Sequence, residues 1–202
     1  MYNIKLDFNL ENNMIPDNIN IICASFMKQA LQMDNESLYE MLYETKERML
    51  RKYTFCVKMR SIKYQDRSIF LANNNISIEF TDFDFSELLV FYNAFLNYQY
   101  QGLSFSMNRN SMKLVKVSMK RLQNIIDDEV IIKMESPLVV RYSYNNIDNY
   151  LGIEDDNFEK ILNMITKKML YDLGYNDANI VISLIKGKRL LQIYLDIKQL
   201  QL

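Results

Sequence analysis

Arg109, Lys113, Lys116, Lys120 and Arg121 follow one another with no acid between them. Their chemistry is polyanion binding, because phosphate oxygens need positive partners. Tyr100 and Phe105 lie beside the run, and aromatic faces take up unstacked bases, so the combination suits RNA. A solvated strand face is the plainer reading of the same residues. A second basic group comprises Lys46, Arg48, Arg51, Lys52, Lys58, Arg60, Lys63 and Arg67, with Glu47 and Asp66 as its acids. Net charge over 202 residues is −1, so a polyanion would meet a local patch, not an overall field. The acids gather elsewhere, as at Asp127-Asp128-Glu129 and Glu154-Asp155-Asp156. The second of these triplets suits the positive end of a helix that follows it.

The absences narrow the chemistry further. The chain has no histidine, which removes the commonest general base and the commonest metal ligand. Two separated cysteines, Cys23 and Cys56, cannot hold a structural zinc and read as free thiols in a reducing cytoplasm. Four glycines form neither a dinucleotide fingerprint nor a phosphate loop, so no nucleotide cofactor is expected. Carboxylates are plentiful, but no spacing singles out a catalytic pair or a magnesium site. No apolar run approaches the length of a membrane span and the N-terminus has no leader pattern, so the expectation is a cytoplasmic protein without a membrane partner.

Periodicity supplies the elements that would position these groups. Tyr2 to Leu10 alternates as a half-buried strand. Pro16-Asp17 opens a helix with Ile19, Ile22, Phe26, Ala30 and Met33 as its apolar stripe. Ser37 with Glu40 reads as a capping box for a second, short helix. Tyr53 to Met59 is a strand. Ile69 to Phe80 reads as a hairpin turning at Asn73-Asn74-Asn75. Phe85 to Tyr98 is a helix capped by Asp84 or Ser86, with Leu88, Leu89, Tyr92, Phe95 and Leu96 inward. Met112 to Met119 returns as a strand. Next come a strand over Val130 to Val140, interrupted at Ser136-Pro137 or followed there by an edge segment, and a helix over Asp155 to Leu173 with Gly174 just past its end. A hairpin through Lys186-Gly187-Lys188 completes the order. The expected class is α+β, with tandem ferredoxin-like (RRM-like) units over residues 1–123 and 124–202, the second incomplete.

Several stretches in this order resemble the CRISPR-associated repeat-RNA endoribonucleases, the Cas-six family of the RAMP superfamily. Lys52-Tyr53-Thr54-Phe55-Cys56-Val57 is similar to that family's K-x-F-T-F-S strand. Asn93-Ala94-Phe95-Leu96 and Ser111-Met112-Lys113-Leu114 match in the second helix and last strand of the first unit. The run from Ile132 to Arg141, I-K-M-E-S-P-L-V-V-R, resembles the family's F-K-T-x-S-P-L-x-x-R. The resemblance covers residues 1 to about 198. It implies binding of CRISPR repeat RNA or crRNA, association with Cas effector-complex subunits, and metal-independent cleavage in which a 2′-OH attacks the adjacent phosphate, usually with a histidine as base.

The chain departs from that pattern twice. Where the family carries its histidine, this sequence reads Tyr43-Glu44-Thr45-Lys46-Glu47-Arg48, and the C-terminal glycine-rich loop has no counterpart. Two expectations follow. One is a shortened Cas-six-like protein that binds RNA or a Cas complex with little or no nuclease activity. It would serve either as an assembly subunit or as a phage-encoded mimic that inhibits interference (an anti-CRISPR). The other is an active endoribonuclease that matures crRNA to 2′,3′-cyclic phosphate ends with Tyr43, Lys46 or Lys52, or with Tyr39, in place of histidine. Lysine and tyrosine ordinarily titrate near 10, far from the ideal for acid-base work at neutral pH. The RNA-binding candidates are Arg48, Arg51, Lys58, Arg60, Arg109, Lys113, Lys116, Lys120, Arg121 and Arg141.

Overall fold

Ile4, Leu6, Phe8 and Leu10 alternate with Asn3, Lys5, Asp7 and Asn9, and this makes β1 (Tyr2–Leu10) two-faced, its apolar side fully covered. The computed structural model describes residues 1–45, 51–123, 129–133, 138–144, 147–175, 180–185 and 190–195. The chain divides into two compact units, Met1–Gln123 and Asn124–Leu202. The class is α+β, with tandem ferredoxin-like units.

In the first unit β1 is followed by β2 (Met14–Pro16), α1 (Ile19–Asp34), α2 (Glu36–Tyr43), β3 (Tyr53–Gln65), β4 (Ser68–Asp82), α3 (Phe85–Gln101), β5 (Ser104–Met107) and β6 (Asn110–Arg121). The order β3-β4-β1-β6 is antiparallel throughout and is the ferredoxin-like arrangement. Both long helices pack on one face of this sheet. α1 contributes Ile19, Cys23, Phe26, Met27, Ala30 and Leu31 at helical spacing. Phe26 is wholly buried, with the rings of Phe8, Phe95, Tyr98 and Phe105 centred 5.0 to 6.0 Å from its own. α3 buries Leu88, Phe91, Ala94, Phe95 and Tyr98. Leu89, expected inward, is 38 % exposed, because Phe91 and Ala94 define the stripe instead. Asp84 caps α3, its Oδ1 accepting from the N–H groups of Ser86 and Glu87. α2 is capped by Asn35, which accepts from Leu38 N–H, and not by Ser37.

Two further local expectations are corrected. Pro16 belongs to a short strand and α1 begins at Ile19. The three asparagines do not form a hairpin turn. β4 runs unbroken from Ser68 to Asp82, and the turn is Asp66-Arg67, both at positive φ (50° and 56°). Residues 72–75 bulge opposite Arg60, since Met59 pairs with Ile76 and Ser61 with Leu71.

The second unit holds β7 (Glu129–Lys133), β8 (Val140–Tyr144), β9 (Ile147–Leu151), α4 (Phe158–Asp172), β10 (Ile180–Ile185) and β11 (Leu190–Leu195). Its sheet order β10-β11-β7 is the ferredoxin-like order without a fourth strand among the described residues. The single strand expected over Val130 to Val140 is instead two strands of different sheets, β8 pairing with β9 in a hairpin of its own. The Ser136-Pro137 step and Lys186-Gly187-Lys188 lie outside the described residues. α4 ends at Gly174 (φ +92°), with Tyr175 N–H donating to Leu170 O and Gly174 N–H to Tyr171 O, a Schellman motif. Asn163 of α4 both donates to and accepts from the backbone of Ile182, and Glu159 accepts from Leu184 N–H, so α4 covers polar groups on the edge strand β10. No described helix is long and apolar enough to cross a membrane.

Candidate nucleic-acid interface

With both long helices on one side, no described element of the first unit covers the other face of its sheet, the open face. Cross-strand neighbours share a face, so the register lays out that surface in rows. One row reads Lys58, Ser77, Asp7 and Lys116 across β3, β4, β1 and β6. The next reads Cys56, Glu79, Lys5 and Ser118, and on the other side lie Asn75, Asn9 and Lys113. Lys120 stands opposite Asn3.

A bulge makes this surface basic. Lys113 differs in parity from Lys116 and Lys120, so in a regular strand it would point to the opposite face. The β1–β6 register shifts between Asp7 and Phe8, where Asp7 pairs with Lys116 and Phe8 with Leu114, leaving Val115 as the extra residue. Met112 and Leu114 before it, and Val117 and Met119 after it, then face the helices. All three lysines consequently project from the open face and are exposed. The acids described there are Asp7 and Glu79, and Asp7 is held by Lys5 at 2.8 Å.

The other candidates distribute less evenly. Arg60 lies in the β3 irregularity beside Lys58, at a cavity of about 420 Å³ on the open face. Arg109 sits at positive φ (64°) in the β5–β6 turn. Arg121 pairs with Tyr2, whose ring lies against Phe85 on the helix side, so it belongs to the other face. Arg141 is in the second unit, where it pairs with Asp148 at 3.3 Å. Phe105 turns into the core against Phe26, while Tyr100 on α3 is 92 % exposed. The open-face positions of β1 and β4 carry Asn, Lys, Asp, Ser, Glu and Thr, so the ring-stacking platform of an RRM is not built on these strands.

Lys46 and Arg48 lie outside the described residues. Tyr43 is the hub of a half-buried contact: its hydroxyl shares a 2.6 Å hydrogen bond with that of Tyr53. Lys28 Nζ lies 4.8 Å and the Arg51 guanidinium 5.0 Å from the centre of its ring. Lys28 was not singled out in the sequence, because only the fold brings α1 beside α2. Burial, then the Tyr53 hydrogen bond, pushes the Tyr43 phenol far above its ordinary value. Lys52 reaches Asp84 at 3.3 Å and Glu87 at 3.4 Å, and the Asp84 contact leads in raising its pKa. Asp84 is held below the usual carboxylate range, chiefly by the Glu87 N–H it caps.

Beneath this pair lies Asp82, 3 % exposed, with Oδ1 accepting from Asp84 N–H and Oδ2 without a hydrogen-bond partner among the described residues. Burial pushes its pKa up to about 6. Glu87 Oε2 is likewise buried and, among the described residues, unpartnered. Among the described residues no group of three or more Cys, Asp or Glu is placed to hold a metal ion.

Solved structures share this architecture. The structure described as that of a Cas6-related gene from Pyrococcus furiosus superposes with a TM-score of 0.76 at 14 % identity, covering 96 % of this chain and 87 % of that one. One described as an RAMP protein binding different RNA substrates gives 0.72 at 13 %, covering 96 % and 88 %. A CRISPR-associated protein Cas6 gives 0.69 at 15 %, covering 98 % and 90 %. No protein-family model and no curated protein matches the chain. At these identities the likeness is one of fold.

Proposed function

We propose that this chain is a Cas6-like protein that binds CRISPR repeat RNA or crRNA through the open face of its first sheet, with little or no nuclease activity. The observation that carries the reading is the bulge at Val115, which gathers Lys113, Lys116 and Lys120 on one exposed face of a Cas6-like fold. In-line cleavage needs the 2′-OH deprotonated, the leaving 5′-oxygen protonated and the phosphorane charge neutralised. Tyr43 and Lys52 both titrate above their ordinary values, so near neutrality the phenol keeps its proton and the ammonium its charge. Neither is poised as a base, and Lys52 is already engaged by two carboxylates. Loss of acid-base work lowers a rate by about 10²–10⁴-fold.

The test is a single-turnover incubation of repeat RNA with excess protein in EDTA. The expected result is binding without site-specific cleavage. Removing charge at Lys113, Lys116 and Lys120 together should weaken binding and flatten its log–log salt slope by about 2, at roughly 0.7 per lost contact on a single strand. Efficient cutting to a 2′,3′-cyclic phosphate, lost in Lys52→Ala or Tyr43→Phe, would establish the alternative, an active histidine-free endoribonuclease. Adding the protein to a CRISPR system that lacks its Cas6 subunit, and to a complete one, separates the two non-catalytic roles. An assembly subunit, in contact with Cas effector-complex subunits, restores interference, whereas an anti-CRISPR mimic suppresses it.

A further inference from the structure

One part of the open face is not cationic but amide-rich. Asn9 and Asn75 are register partners on β1 and β4, and Asn73 lies two residues before Asn75 in the bulge opposite Arg60. All three are exposed and line the cavity of about 420 Å³, whose rim also carries Lys58 and Arg60. Among the described residues none of their side-chain amides makes a hydrogen bond within the protein, unlike those of Asn12, Asn13, Asn97, Asn110, Asn149 and Asn163. A regular β4 would have placed Asn73, Asn75 and Ser77 in line; the bulge widens the strand there and opens the cavity between it and β3.

We propose that Asn9, Asn73 and Asn75 form a base-reading subsite for one unpaired adenine of a bound RNA, a reading that rests on the RNA-binding function proposed above. A carboxamide offers an acceptor and a donor side by side, and this pair matches the N6 amino group and N7 of adenine. Charge for the flanking phosphates is present on both sides. Lys58 and Arg60 stand on β3, and Lys113 and Lys116 on β6, three interstrand spacings or about 14 Å away across the sheet. Phosphate contacts set position and carry no sequence information, so base discrimination falls to groups that reach base edges, as these amides can. Asp7 also lines the cavity but is tied to Lys5, which limits its repulsion of phosphate.

The experiment measures binding of short oligo(A), oligo(U) and oligo(C) RNAs across a salt series. The proteins are the wild type, the Asn9→Ala/Asn73→Ala/Asn75→Ala triple variant and the triple lysine variant. The wild type is expected to prefer oligo(A) by about tenfold, within the worth of one good bidentate amide contact. The asparagine variant should lose that preference with its salt slope unchanged and its thermal unfolding within a degree or two of wild type. The lysine variant should lose affinity for all three and keep the preference. Equal binding of the three RNAs by the wild type, or a preference that survives loss of the asparagines, overturns the subsite and leaves RNA binding standing. Absence of RNA binding by the wild type overturns both.

Discussion

β1 and β7 hold the same place in the two units, the first strand of a ferredoxin-like order, yet they meet opposite environments. β1 is central, with β4 on one side and β6 on the other, and Ile4 and Leu6 are fully buried. β7 pairs with β11 alone among the described residues, and Ile131 is 61 % and Ile132 37 % exposed. Apolar strand residues are core in the first unit, where α1 and α3 cover their face of the sheet, and are partly exposed at Ile131 and Ile132 in the second. The buried clusters differ accordingly. The first is built around Phe8, Phe26, Phe80, Phe91 and Phe95, and the second comprises Val140, Phe158, Leu162, Ile180 and Ile182 among described residues. A larger core can carry local features that lower stability, and the first unit carries them: a buried carboxyl, and a turn of two non-glycine residues at positive φ.

The largest expected effect tests this contrast directly. Ile4→Ala removes buried methylenes from a closed site and should cost about 2–5 kcal/mol. Ile131→Ala, at a surface position, should stay within about 0.5 kcal/mol. Amide exchange read strand by strand separates the two. In Ile4→Ala the most protected amides of β1, β4 and β6 should exchange at least about 30-fold faster, whereas in Ile131→Ala those of β7 and β11 should hardly change. Equal losses would show that β7 is covered as fully as β1, and the contrast would fail.

Much of the first unit was legible because its signals are local. Period two set β1 and the start of β3, period 3.6 set α1 and α3, and Asp84 was one of two named caps. The open-face lysines were legible as a run but not as a surface, because their parity depends on Val115 being an extra residue opposite β1. The environments of Tyr43 and Lys52 were hidden for a different reason. Their partners Tyr53, Asp84 and Glu87 lie 10, 32 and 35 residues away, and no periodicity carries that information. Phe105 was read as a base-stacking ring beside the lysines, but its pairing with Met112 puts it on the helix side. In the second unit the continuous apolar character on both sides of Ser136-Pro137 fused β7 and β8 into one strand, and nothing in period two marks a change of sheet.

An intermediate effect comes from Asp82, the buried carboxyl that the larger core tolerates. Its folded pKa of about 6 lies above the ordinary value of 3.8. Between those values the folded state holds more of the proton than the unfolded state, so stability falls as pH rises through this window and stays lower above it. Asp82→Asn retains an oxygen for Asp84 N–H and carries no charge to bury. It should raise stability by about 1–3 kcal/mol at pH 7.5, with the gain shrinking toward zero near pH 4. Urea titrations at the two pH values check it, and a gain that is the same at both would assign the effect to packing instead of charge.

The smallest effect concerns the Asp66-Arg67 turn, the point at which the sequence and the structure disagree about the longest hairpin. Asparagine favours turns, and on that preference Asn73-Asn74-Asn75 competes with Asp66-Arg67 for the reversal. The register decides between them: Gln65 pairs with Ser68, leaving a two-residue connection with both residues left-handed, the geometry that matches the twist of the flanking strands. Arginine is a poor occupant of that region, since its Cβ crowds the following carbonyl at a cost of about 1–2 kcal/mol. Glycine removes the crowding but loses more backbone freedom on folding, by roughly 0.5–1 kcal/mol. The replacement Asp66→Asn/Arg67→Gly should therefore stabilise the first unit by about 0.5 kcal/mol. A substitution Asn74→Pro in the bulge separates the two candidate turns further. Residue 74 has no register partner on β3, so loss of its N–H should leave the β3–β4 pairing on both sides intact. If Asn-Gly at 66–67 destabilises the hairpin while changes at 73–75 control its pairing, the reversal lies at the asparagines after all. Unchanged exchange at Val57 and Ile78, with slower exchange at Ser68, would place it at Asp66-Arg67.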